Sequence, residues 1–147
     1  MKRLTHHLFP TEHQGHHYSL VLLALRLLFG GLLLAHGLDK WIHFYELEAI
    51  FPDPLGVGSR FSLMLCIFAE VICSCFVILG LLTRVMLIPI VLSMLVALLA
   101  VHHGQPFMAR ELPFLHLMIF LLLMITGPGR YSCDFFIGTH RLRRIEE

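Results

Sequence analysis

The sequence predicts an all-α integral membrane protein, a bundle of four transmembrane helices with an interfacial helix between the first and second. Three observations lead there. The 147 residues are 57% hydrophobic and only 14% charged, whereas soluble domains carry about 25% charged residues. Mean hydropathy is +0.79. Four apolar runs approach the length of about 20 residues that a helix needs to cross hydrocarbon. The formal charge of +1 leaves no electrostatic footprint for nucleic acid, so the expected surroundings are a lipid bilayer.

The first span is expected at residues 18–38, the second at 61–82, the third at 84–101 and the fourth at 112–126. The fourth is short as counted. It can begin near Ala109, with Pro113 tolerated in its opening turn. Leu82-Thr83-Arg84 leaves room only for a tight hairpin between the second and third spans, with Thr83 as the cap of the next helix. Pro89, one turn later, bends that helix. Between the first two spans, Trp41, Ile42, Phe44, Tyr45, Leu47, Ile50 and Phe51 are interleaved with Glu46 and Glu48. Pro52-Asp53-Pro54 and Gly56-Val57-Gly58 then break the pattern. That composition fits an interfacial helix and a turn, with Trp41 and Tyr45 at the headgroups.

Residues 1–17 read as a His-rich cytoplasmic tail, 18–136 as the transmembrane domain and 137–147 as a second cytoplasmic tail of mixed charge. No secretory signal is read, because the first apolar run follows a polar stretch and no small-residue cleavage site follows it. Lys2, Arg3, Arg84, Arg130, Arg141, Arg143 and Arg144 fall on the side of the termini; Lys40, Arg60 and Arg110 fall on the other. The positive-inside rule then puts both termini in the cytoplasm, with a bacterial-type inner membrane as the expected location.

Two charges inside the apolar runs draw the functional reading. A charge at the bilayer centre costs about 2.5–3.5 kcal/mol on insertion scales, so such residues face a partner, a cavity or a site. Counted from the ends of the spans, Arg26 lies about 12 Å deep and Glu70 about 18 Å at 1.5 Å per residue. An arginine side chain covers that difference. The expectation is a salt bridge across the first two spans, serving either as the polar centre of a site or as a structural lock. Cys66, Glu70 and Cys73 share one helix face by i, i+4, i+7 spacing, which is also the pattern of a packed face.

A second cluster is expected at the opposite boundary. His36, Asp39, Lys40 and His43 share a face if the first helix continues past Leu38. His102 and His103 end the third span there, Glu111 opens the fourth, and His116 follows one turn deeper. Imidazole with carboxylate suits a transition metal, and it also suits proton exchange with a quinone headgroup. The metal candidates are His36, His102, His103 and His116, without any HExxH or CxxC spacing behind them. His6, His7, His13, His16 and His17 form a weak metal-binding tract or an incidental tail. Four cysteines in a membrane chain are not a disulfide framework, and Cys73-x-Cys75 points to two faces of one helix rather than to a redox pair. Cys133 could meet another thiol only if the tail folds back.

Arg26, His36-Gly37 with Lys40, Glu70, Gly80-Leu81-Leu82-Thr83-Arg84, His102 or His103, Glu111 and Gly127-Pro128-Gly129-Arg130-Tyr131-Ser132-Cys133-Asp134 recur in an order that resembles the DoxX family. The resemblance runs from about Leu25 to Phe136. Cys133 stands where the family has an apolar residue. What the resemblance implies is a small four-helix membrane protein associated with thiol redox, related to a subunit of a thiosulfate:quinone oxidoreductase. No dinucleotide fingerprint, haem motif or iron–sulfur ligand set accompanies it.

The leading expectation is therefore a redox-associated component that binds a quinone or similar apolar ligand, with quinone as the candidate cofactor ahead of a metal ion. Its ligand-binding candidates are Arg26, His36, Asp39, Lys40, Glu70, His102, His103, Glu111 and His116, and the catalytic candidates are Glu70, His36 and Glu111. One alternative is a metal-ion or small-solute binding or transport protein using the outer His/Glu cluster. Another is a non-catalytic subunit of a membrane complex. Gly30, Gly31 and Gly37 would allow close helix approach within the chain or across a homodimer, and a redox partner subunit is the other expected partner.

Overall fold

The computed structural model describes residues 15–101 and 103–146, with side chains placed as far as Thr139. Every regular element among them is helical. They are α1 (His16–Ile42), α2 (Phe44–Leu47), α3 (Ser59–Leu79), α4 (Thr83–Val101), α5 (Phe107–Thr126) and α6 (Cys133–Glu146). Among the described residues, α1, α3, α4 and α5 are long and apolar enough to cross a membrane. Large apolar side chains stay outside the bundle, Leu28, Leu79, Ile88 and Ile125 among them. Bare apolar faces on all four spans belong in lipid, where no backbone polar group is left unpaired by a helix.

The core is filled by Leu22 and Leu33 of α1, Cys73 and Val77 of α3, Leu87, Ile90 and Met94 of α4, and Leu117, Phe120 and Leu123 of α5. Helices α1 and α3 run antiparallel in very close contact. A Cβ placed on Gly30 would lie 2.8 Å from Ile78, and one on Gly37 would lie 2.7 Å from the Glu70 Cβ. Gly31 has nothing within 4 Å. Two of the three glycines thus serve the intramolecular helix pair, and the third faces open space.

Several expected details come out differently. Helix α1 runs through Trp41 to Ile42, so the interfacial helix is reduced to the single turn α2. Trp41 and Tyr45 are nevertheless well exposed at that end. Helix α5 starts at Phe107, which puts Pro113 beyond the opening turn. Two stretches are π-helical, Phe68–Cys73 within α3 and Ala97–Val101 at the end of α4. In α3 the π-helical stretch buries Ala69, Glu70, Val71 and Cys73 together, a broad inward face in the wider turn of the helix.

The hairpin between α3 and α4 is held from a distance. Gly80 takes a left-handed conformation that suits glycine, and Leu82 adopts φ 48° as well. Thr83 does not cap α4. The Asp134 carboxylate does so, accepting from the amides of Leu82 (2.7 Å) and Thr83 (2.9 Å) and from the Thr83 hydroxyl (3.0 Å). In return the Asp134 amide donates to the Gly80 carbonyl. An acid at a helix N-terminus meets both the free amides and the positive end of the dipole.

Candidate functional site

The expected Arg26–Glu70 salt bridge is absent. Arg26 is 1% exposed and its guanidinium donates to the carbonyls of Pro128, Ile78 (3.1 Å) and Tyr131 (2.9 Å). Asp134 is the carboxylate whose charge it feels most. A Cβ on Gly80 would come within 2.9 Å of this guanidinium, so only glycine lets the hairpin close over it. Arg26 therefore ties α1 to the end of α3 and to the Gly127–Asp134 segment. All of its described hydrogen bonds go to backbone carbonyls at the side of the termini.

The register explains the separation. Gly37, not Arg26, lies opposite Glu70; Gly30 lies opposite Ile78, and the Arg26 guanidinium, one turn further along α1, ends at the Ile78 carbonyl. Eight residues of helix between 70 and 78 make about 12 Å. Depths counted from the span ends miss this because α1 overhangs α3 at that side, where His16 meets the Tyr131 hydroxyl and Leu22 packs near Gly129.

Glu70 pairs with Lys40 instead. The Lys40 ammonium donates to both carboxylate oxygens at 2.5 Å. The Glu70 side chain is 4% exposed and the Lys40 side chain 27%. Cys66, one turn before Glu70, donates its S–H to Oε1 at 3.4 Å, and Ser93 of α4 reaches Cys66. Lys40, Glu70, Cys66 and Ser93 form one compact polar cluster.

That cluster is the polar end of a cavity of about 460 Å³, a volume typical of small-molecule sites. Apart from Ser62, whose hydroxyl is held by Asp53, the rest of the wall is apolar. Phe51, Pro52, Pro54 and Leu55 close it from the α2–α3 loop; Leu65, Phe68 and Ala69 come from α3; Pro89, Leu92, Val96, Ala97 and Val101 come from α4. Both π-helical stretches border it, an arrangement frequent at functional sites. Proline 89 also frees the carbonyl one turn earlier from its usual helical partner.

The loop wall is fastened by Asp53. Its carboxylate accepts from the amides of Val57 (3.1 Å) and Gly58 (2.6 Å) and from the Ser62 hydroxyl (2.8 Å). Gly56 and Gly58 supply the positive φ that the turn requires. The Ser62 hydrogen bond, then the Gly58 amide, hold the Asp53 carboxyl below its ordinary range.

The outer histidine–carboxylate layer is only partly assembled. Asp39 turns outward and pairs with His43, 3.3 Å from Nδ1. His43 is held above its ordinary range by the Asp39 carbonyl and then by the Asp39 charge. His103 and Glu111 are exposed. His102 lies outside the described residues, as do His6, His7 and His13. His36 and His116 do come together, with ring centroids 6.5 Å apart. His116 is buried; its Nδ1 donates to the Leu112 carbonyl and Nε2 has no partner. Among the described residues, no three His, Cys, Asp or Glu side chains gather as a metal site. Cys66, Cys73, Cys75 and Cys133 are all free thiols.

Ser93 carries no motif in the sequence, and Pro52-Asp53-Pro54 reads there only as a turn, not as a cavity wall. Asp134 is visible only as the end of the family motif, although it is the first acid after the fourth apolar run and follows a Gly-Pro-Gly turn.

The DoxX family model matches residues 21–103, which hold most of α1, the loop, α3, α4 and the whole Lys40–Glu70 cluster. An uncharacterized membrane protein of Mycobacterium tuberculosis is 31% identical over 137 aligned residues, covering 76% of this chain and 78% of its own. No solved structure matches. With four candidate spans, the matched family model and that relative, the chain belongs to the DoxX family of membrane proteins.

Proposed function

We propose that the chain is a redox-associated component of a bacterial inner membrane, with both termini cytoplasmic, that holds a quinone or similar apolar molecule in the cavity between α3, α4 and the α2–α3 loop. The observation that carries this reading is a largely apolar chamber with its ion pair at one end, in Lys40 and Glu70 beside Cys66 and Ser93, while the other polar wall residue, Ser62, is tied to Asp53. Such a layout orients a ring with polar substituents and leaves its apolar body among Phe51, Leu65, Leu92 and Val96. The site belongs to Lys40 and Glu70. Arg26 supports the bundle that contains them.

The test is retention and turnover of quinone by protein purified in native lipid. The wild type is expected to carry quinone that Glu70→Gln and Lys40→Met lose, with His36→Ala retaining it. Folded wild-type protein free of quinone, and inactive when quinone is added with a thiol donor, would overturn the proposal. The competing reading as a metal or solute carrier draws on the bare Nε2 of buried His116 beside His36. Elemental analysis of untagged protein separates the two: a stoichiometric metal lost in His116→Phe favours the carrier.

A further inference from the structure

The polar end of the cavity is a closed ion pair, and that closure selects among ligands. Both Glu70 oxygens are taken by Lys40, and Oε1 also receives Cys66. Glu70 is pressed under Gly37, whereas Lys40 is the more exposed partner. Cys66 also sits against the Lys40 ammonium, so the cluster turns a Lys40–Cys66 donor edge to a ligand while carrying no net charge. An ionised headgroup entering here would leave one charge uncompensated in an apolar chamber, the costliest arrangement available.

We infer that this cavity takes neutral amphiphiles whose polar end is a hydrogen-bond acceptor such as a carbonyl, and rejects fatty-acid anions and alkylammonium cations of the same length. The inference rests on the same cavity as the proposed function and narrows its ligand class. The ion pair acts as a charge filter: each member cancels the charge by which the other would recruit an oppositely charged lipid. Removing one member therefore changes which headgroup enters.

Cys66 lines the chamber and reports its occupancy. The experiment uses full-length protein in lipid nanodiscs with Cys73, Cys75 and Cys133 replaced by Ala or Ser. The rate of Cys66 alkylation by N-ethylmaleimide is read with and without methyl laurate, laurate, dodecylammonium or decylubiquinone. In the wild type, methyl laurate is expected to slow labelling about tenfold and the two ions less than about twofold. Glu70→Gln should shift protection to laurate, and Lys40→Gln to dodecylammonium. Protection by laurate equal to that by methyl laurate in the wild type overturns the inference, and so does unchanged selectivity in a folded pair variant. The wild-type comparison decides alone if neither variant folds. Failure of decylubiquinone while methyl laurate protects would sink the quinone reading and leave the charge filter standing.

Discussion

Gly37 of α1 lies directly against Glu70 of α3, so close that a Cβ would fall 2.7 Å from the Glu70 Cβ and 2.9 Å from its carbonyl carbon. This contact sets how near Lys40, three residues along, comes to the carboxylate. Gly37→Ala is expected to push the helices apart and cost about 1–3 kcal/mol, the range of core overpacking. Gly31→Ala, with nothing within 4 Å, should be neutral or mildly stabilising. Thermal unfolding of the two variants in the same detergent checks the contrast.

Arg26 and Glu70 serve separate networks, which makes their energetics separable. Arg26→Met combined with Glu70→Leu should be additive to within about 0.5 kcal/mol, as for sites without shared partners. Lys40→Met with Glu70→Leu should not be. Breaking that pair from one side should cost about 3 kcal/mol, the lower end for buried pairs, because Lys40 keeps 27% of its side chain exposed. Reversible unfolding of the two double-mutant cycles decides between one polar centre and two.

Asp134 caps α4 from beyond the last span through three hydrogen bonds. Asp134→Ala should cost about 2 kcal/mol, the upper end for a lost cap, since Arg26 also loses its facing charge. Hydrogen exchange is expected to rise first at the amides of Leu82 and Thr83. Unchanged exchange there would mean that the cap is not Asp134.

Acid and base should act on opposite ends of the α1–α3 connection. The Asp53 carboxyl sits below its ordinary value of 3.8 because of Ser62 and the Gly58 and Val57 amides. A lowered folded-state pKa adds stability above the unfolded pKa and loses it as pH falls through the folded one. Loop protection from proteolysis should hold at neutral pH, fail only below the ordinary carboxylate range, and fail without that acid step in Asp53→Ala. His43 is raised above 6.5 by Asp39. Its contribution is complete below that value and fades as pH rises through the folded pKa, so NMR titration should find His43 protonated at higher pH than an ordinary imidazole and than the same residue in Asp39→Asn.

The sequence by itself determined the membrane class, the four spans and the burial of Arg26 and Glu70, because hydrocarbon thickness and the cost of intramembrane charge act on local composition alone. It also determined the family, through motifs spread over most of the chain. The pairing was not local. Whether Glu70 meets Arg26 or Lys40 depends on the register of α1 against α3, set by Gly30 and Gly37 and by the overhang of α1. The chamber depends further on two π-helical turns and on a loop pinned by Asp53, none of which leaves a periodic signature. Composition says which side chains must find partners in the membrane. Only the packed helices, with their close glycine contacts, decide which partner each one reaches.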